Sequence, residues 1–260
     1  MFGIVAIFVV PVLIFFMNSV KSSSGIFTRS YELPESITLG KYVTAWTQGG
    51  FSQYMVNSIL VVGVSLLLIL VCSTLAAYAI VRFEFRGKYV VVSLVLAGFM
   101  IPTQVLFIPR FVMLSWAGLI DTHLSLVLVY VASALPFSIF LLRQFFVGIP
   151  ASLAEAAQLD GCSDFQTFYR IYLPLAVPAI SAVFIFQFVI LWNEFLYAFT
   201  FISSDGLRTL PAGLLNYRGA YGTDWSKMMA GVGISVIPTI IVFVLFRNQF
   251  LRSLNMQAKG

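Results

Sequence analysis

With 260 residues, 60% of them hydrophobic and only 10% charged, the chain lies far from a soluble domain, in which roughly a quarter of residues are charged. So few polar groups cannot cover a water-facing surface, least all around the 26 Phe side chains, and a bilayer is the solvent this composition requires. The net charge of +5 does not indicate nucleic acid as a partner, because the Lys and Arg are scattered between apolar segments and form no basic face.

Six stretches satisfy the requirement of about 20 predominantly apolar residues for a membrane helix. In chain order they cover residues 2–20, 57–81, 89–109, 124–142, 175–202 and 228–246. The first has no basic residues ahead of it and no small-residue cleavage site before Lys21, so it reads as a retained span rather than a signal peptide. A short cytosolic tail is expected ahead of it. Cys72 falls inside an apolar run and Cys162 in a polar one, which argues against a disulfide between them.

Orientation follows from the density of positive charge. With both termini in the cytosol, the fifteen basic residues divide eight to seven, Arg252 and Lys259 among those inside and Arg29 among those outside. Three of the inner ones, Arg82, Arg86 and Lys88, crowd one short turn, which is where the positive-inside tendency counts most. Prolines interrupt the third span (Pro102, Pro109), the fourth (Pro136), the fifth (Pro178) and the sixth (Pro238). Kinked helices around a transport cavity would explain them, and so would the ordinary tolerance of membrane helices for proline.

One polar island interrupts the apolar sequence, at residues 150–174. Ser152-Leu153-Ala154-Glu155 has the form of a capping box, from which a short helix is expected to run to Asp160 and stop at Gly161. Ser163-Asp164-Phe165-Gln166 is a second box, and Phe165, Phe168, Tyr169 and Tyr172 follow on one helical face. Pro174 is expected to end that helix. Two short capped helices joined at a glycine could lie on the membrane surface as a connector. The acids Glu155, Asp160 and Asp164 against Arg170 alone fit an anionic leaflet poorly, and fit a protein partner that grips the aromatic face better.

The same residues carry a family likeness. Glu155-Ala156-Ala157, three residues, Gly161, nine residues, then Ile171, one residue and Leu173-Pro174 reproduce the EAA signature of the membrane subunits of ABC importers. The chain resembles in particular the carbohydrate-uptake permeases of the maltose and glycerol-phosphate type. Asn57-Ser58-Ile59 and the run from Trp192 to Ala198 add to the likeness, which extends over nearly the whole chain; Cys162 stands where a smaller residue is common.

The resemblance implies an all-α integral membrane protein with six transmembrane helices, a type I importer permease fold and a cytosolic coupling helix between spans 4 and 5. Both ends would lie inside a bacterial or archaeal cytoplasmic membrane. It further implies a second permease subunit, two ATPase subunits, an extracytoplasmic substrate-binding protein and a sugar substrate. Phe165 and Phe168 would anchor the ATPase, and the tail from Asn255 to Gly260 could reach the ATPase dimer.

The chain carries no nucleotide-binding loop of its own, since Gly40-Lys41 and Gly87-Lys88 are each followed by Tyr. No cofactor is expected on this chain; ATP and Mg would sit on the partner ATPase. With His123 as its single histidine, the chain has neither a His-based metal cluster nor a Ser-His-Asp or Cys-His catalytic set. Glu194, near the outer end of the fifth span, reads as an interfacial hydrogen-bonding residue or a substrate contact. Asn57, Gln104, Gln187 and Asn193 are the other polar candidates for lining a path. A gradient-driven secondary transporter is the rival reading, against which stand the lack of an evident internal repeat and the shortage of intramembrane acids. A membrane-embedded enzyme is a weaker third.

Overall fold

The computed structural model describes residues 2–21, 23–28, 30–34, 37, 39–219 and 222–257; Arg29, Lys259 and the last residues of the tail lie outside them. The early helices are α1 (Phe2–Ser19), α2 (Ser23–Thr28), α3 (Gly40–Thr47) and α4 (Phe51–Arg82). Then come α5 (Lys88–Met100), α6 (Phe107–Trp116), α7 (His123–Val147) and α8 (Ala151–Leu159). The remainder comprises α9 (Asp164–Thr167), a π turn at Phe168–Tyr172, α10 (Leu173–Leu175), α11 (Val177–Trp192), α12 (Leu196–Phe201), α13 (Leu210–Gly213) and α14 (Trp225–Gln257). A two-residue antiparallel pair joins Arg218–Gly219 to Gly222–Thr223.

Among the described residues, three helical segments are long and apolar enough to cross a membrane: Phe51–Arg82, His123–Val147 and Trp225–Arg247. A fourth is obtained if Asp164–Leu175 and Val177–Trp192, which meet at a 70° bend, form one span.

The third expected span, 89–109, is not one helix. α5 has 13 residues, about 20 Å at 1.5 Å per residue, against about 30 Å of hydrocarbon. Pro102 sets the break: Ile101, the residue before it, is extended with ψ of 120°. Three successive i→i+3 bonds, from Val105 to Pro102, Leu106 to Thr103 and Phe107 to Gln104, then carry the backbone into α6. Pro109 breaks nothing, because it lies in the first turn of α6, where its missing N–H would have had no helical acceptor. Pro136 and Pro238 sit inside α7 and α14 without ending them.

The fifth expected span, 175–202, is also divided. α11 stops at Trp192 and the chain resumes as α12 at Leu196. The cause is the polar pair Asn193-Glu194, whose side chains bond to backbone on either side of the gap.

The chain forms two compact units, one of residues 1–59 and 194–241, the other of residues 60–193 and 242–260. In the first, Phe51 and Tyr54 at the start of α4 are fully buried, Phe51 stacked on Tyr217 with ring centres 5.6 Å apart. The Tyr54 ring lies flat against Gly213, where an added Cβ would come within 2.3 Å of the ring. Gly213→Ala should therefore displace Tyr54 and lower stability by roughly 1–3 kcal/mol, the usual cost of overpacking. The check is a thermal melt of the detergent-solubilised protein.

Candidate functional site: the polar helix pair

The polar island folds as two short helices, but their caps differ from the sequence expectation. The Ser152–Glu155 box does not form. α8 begins two residues earlier, at Ala151, after Pro150, which occupies the cap position with ψ of 128° and gives no side-chain cap. With Ser152 already inside the helix, its hydroxyl is not placed to cap, and the Glu155 carboxylate is left exposed. Proline supplies the correct φ for a helix entrance at no entropic cost, and here that outweighs a serine hydrogen bond.

At the other end, Gly161 has φ of 82°, a left-handed conformation that costs a residue with a Cβ about 1–2 kcal/mol. The Cys162 N–H bonds to the Ala157 carbonyl at 2.9 Å and the Gly161 N–H to Gln158 at 3.0 Å, the paired bonds of a Schellman ending. Directly after it the Ser163–Gln166 capping box forms in full. The Ser163 Oγ accepts from the Gln166 N–H at 3.3 Å, and the Gln166 Oε1 accepts from the Ser163 N–H at 2.8 Å. One helix is thus closed and the next opened within four residues.

The aromatic stripe does not stay on one side. From Phe168 to Tyr172 the backbone is a π turn, with the Leu173 N–H reaching back to the Phe168 carbonyl. Phe168 and Tyr172 both pack on Tyr78, while the Phe165 ring lies at the edge of this group, 6.2 Å from that of Phe168. Phe168 and Tyr172 are buried; Phe165 is 67% exposed and Tyr169 is also exposed. Phe168 is therefore engaged within its own chain. Pro174 does not end the helix either: the chain continues through α10 and turns only at Ala176, between Pro174 and Pro178.

Phe168 and Tyr172 pack into a core of Ala77 and Tyr78 from α4, Leu142 and Phe146 from α7, Ala154 from α8, and Ala176, Ala179 and Val183. The Tyr78 ring centre is 5.0 Å from that of Phe168 and 5.0 Å from that of Tyr172. Its hydroxyl donates to the Asp164 carbonyl at 3.0 Å. The Asp164 carboxylate lies 3.7 Å from the Arg82 guanidinium and accepts from the Gln158 side chain. Ile171 and Leu173 flank this core half-buried, Ala157 is buried, and Ala156, Asp160, Gly161 and Pro174 are exposed.

Of the polar candidates for a path, Asn57, Asn193 and Glu194 hold backbone groups. Asn57 is 3% exposed, and its amide donates to the Gly206 and Arg208 carbonyls while its oxygen accepts from Gln53. The neighbouring Ser58 accepts from the Leu210 N–H at 2.8 Å. The Glu194 carboxylate accepts from the Tyr197 and Ala198 N–H groups, capping α12. Gln187 is buried and donates to Ser138 Oγ; Asn193 donates to the Val189 carbonyl; Gln104 stands exposed in the break between α5 and α6. Among the described residues no cluster of His, Cys, Asp and Glu could hold a metal ion.

Residues 205–216 carry a cluster that the sequence did not single out. Asp205 accepts from Tyr54 at 2.8 Å and from Asn216 at 2.7 Å, and pairs with Arg208 at 3.4 Å. These partners are separated by up to 162 positions in sequence, and no local pattern announces them.

Long apolar helices, with a polar helix pair packed against α4 and α7, mark a membrane component. The family model described as "binding-protein-dependent transport system inner membrane component" matches residues 69–256, and the chain belongs to this family. It is a permease subunit of an ABC transport system, the ATPase being a separate chain. The probable ABC transporter permease protein YurM of Bacillus subtilis (strain 168) is 41% identical over 244 residues, covering 94% of this chain and 81% of that one. The diacetylchitobiose uptake system permease protein NgcG of Streptomyces coelicolor is 34% identical over 251 residues, covering 96% and 83%. In fold, the chain is similar to a chain in the crystal structure of a bacterial ABC transporter that imports the acidic polysaccharide alginate. That match has a TM-score of 0.83 at 24% identity and covers 96% of this chain and 93% of the other.

The hydrogen bonds from Asn216 and Tyr54, with the charge of Arg208, hold the Asp205 carboxyl below the usual carboxylate range. A carboxyl depressed by folding contributes stability above its unfolded pKa of about 3.9 and loses it as the pH falls through the folded value. Asp205→Asn should accordingly flatten the acid limb of stability below about pH 4, read as unfolding midpoints across a pH series.

Proposed function

We propose that the chain is one of two permeases of an ATP-driven sugar importer and forms half of its translocation pathway. Six crossings are assigned: α1, α4, the broken pair α5–α6, α7, the bent α11 with α12, and α14. Both termini and the 150–174 loop are cytosolic, and residues 203–217 face outward. A second permease completes the pathway, two ATPase subunits carry ATP and Mg, and an extracytoplasmic binding protein delivers the sugar. Relatives named for diacetylchitobiose uptake and a fold shared with an alginate importer support an oligosaccharide as substrate.

The observation that carries the coupling role is the combination of a fastened base and an open apolar face. Phe165 is 67% and Leu159 90% exposed on a helix pair whose other side is locked into the core. Large apolar side chains on a short polar helix pair suit a groove in a protein partner. Phe165 and Leu159 are the anchors, while Glu155 and Asp160, exposed and not used as caps, meet basic groups at the rim of the ATPase cleft. In transport, closure of the ATPases on ATP pushes this pair and switches the pathway between inward- and outward-facing states.

Replacing an aromatic anchor by a charge at such a contact costs about 2 kcal/mol or more, which is on the order of 30-fold in affinity. Phe165→Asp should thus strip the ATPases from the purified complex while leaving the permease folded, because this ring supports little of its own chain. Retention of the ATPases at the wild-type ratio would sink the assignment. A Cβ at Gly161 meets no neighbouring atom within 4 Å, so the main effect of Gly161→Val is on the left-handed backbone, which a β-branched residue resists. The substitution should shift the pair and reduce ATP-dependent uptake in reconstituted vesicles.

A further inference from the structure

A push on the helix pair has two ways into the bundle. The covalent one runs through the π turn at Phe168–Tyr172 and the 70° bend at Ala176 into α11. It is mechanically poor: a π turn replaces the regular i→i+4 ladder, and Pro174 and Pro178 on either side of the bend lack the N–H groups that would stiffen it. Kinks at such points are where helices yield.

The other route is non-covalent and leads to α4. Tyr78 is 5% exposed, donates to the carbonyl of Asp164 in the first turn of α9, and contacts the rings of Phe168, Tyr172 and Phe83. One helical turn further along the same helix, Arg82 faces the Asp164 carboxylate. α4 has 32 residues and no proline.

We propose that Tyr78 is the positioning residue of the coupling step: it clamps the end of α4 to the helix pair, so that displacement of the pair moves α4 as one body with it while the Ala176 joint flexes. This rests on the reading of the pair as the ATPase contact, and it adds which membrane helix receives the stroke and through which side chain. The hydroxyl sets the register of the clamp and the ring supplies its bulk, which makes Tyr78→Phe the informative change.

The test uses the full complex of both permeases and both ATPases in nanodiscs, with Cys72 and Cys162 replaced and spin labels at Phe85→Cys beyond α4 and Ser152→Cys in α8. Distances are compared between the nucleotide-free complex and one trapped with ATP, Mg and vanadate, trapping being verified by retained nucleotide. The wild-type separation should be the same in both states. With Tyr78→Phe it should shift or broaden on trapping, and ATP hydrolysis without the binding protein should rise by roughly two- to thirtyfold, the range over which residues along a coupling route act.

Tyr172→Phe, which removes a hydroxyl with no hydrogen bond among the described residues, should change neither. The proposal is overturned if the wild-type separation changes on trapping, or if Tyr78→Phe leaves both readouts unaltered. If instead Phe165→Asp retains its ATPases, it is the docking assignment itself that fails, whatever the labels report.

Discussion

Burial of Phe168 and Tyr172 around Tyr78 and Phe146 is what the polar end of this molecule depends on. Each ring taken out of water contributes about 1.5–3 kcal/mol, whereas a single hydroxyl-to-carbonyl bond contributes about 1 kcal/mol. The rings therefore decide that the helix pair stays against the bundle, and the Tyr78–Asp164 bond decides where along α4 it sits. The partly exposed pair of Arg82 and Asp164, at 3.7 Å, adds little energy and mainly restricts rotation about that contact. A polar segment is in this way packed firmly against long apolar helices.

The same economy governs the polar side chains elsewhere. In a chain with so few of them, Asn57, Ser58 and Glu194 are each consumed by backbone groups at chain breaks, where an unsatisfied N–H or carbonyl would be costly. Polarity in this sequence marks the places where a helix begins, ends or receives a loop more reliably than it marks a substrate.

How far the sequence could be read follows from the range of the forces involved. The Ser163 box and the Gly161 ending are set by contacts within a few residues, and both were legible. Ser152 was misread because two local signals compete there, and the proline two residues before it has the stronger effect on the backbone. Pro174 was misread because the chain passes through a π turn before it and continues to Ala176, in a stretch packed on Tyr78, some ninety positions earlier. The stripe itself was visible; its division into a buried half and an open half depends on α4, and so was not. Hydropathy likewise counted apolar residues across 89–109 and 175–202, but averaged over Pro102 and over Asn193-Glu194, where single residues break the backbone.

The middle of the chain carries a consequence for the life of the protein in the cell. Neither α5 nor α6 has a buried side chain within this chain, and the irregular turn between them at 101–106 is largely exposed. Within hydrocarbon, non-helical backbone persists only where protein covers it or water reaches it. If this stretch lies within hydrocarbon, a copy inserted alone would need water or another protein surface over residues 101–106, and its lifetime would depend on meeting one.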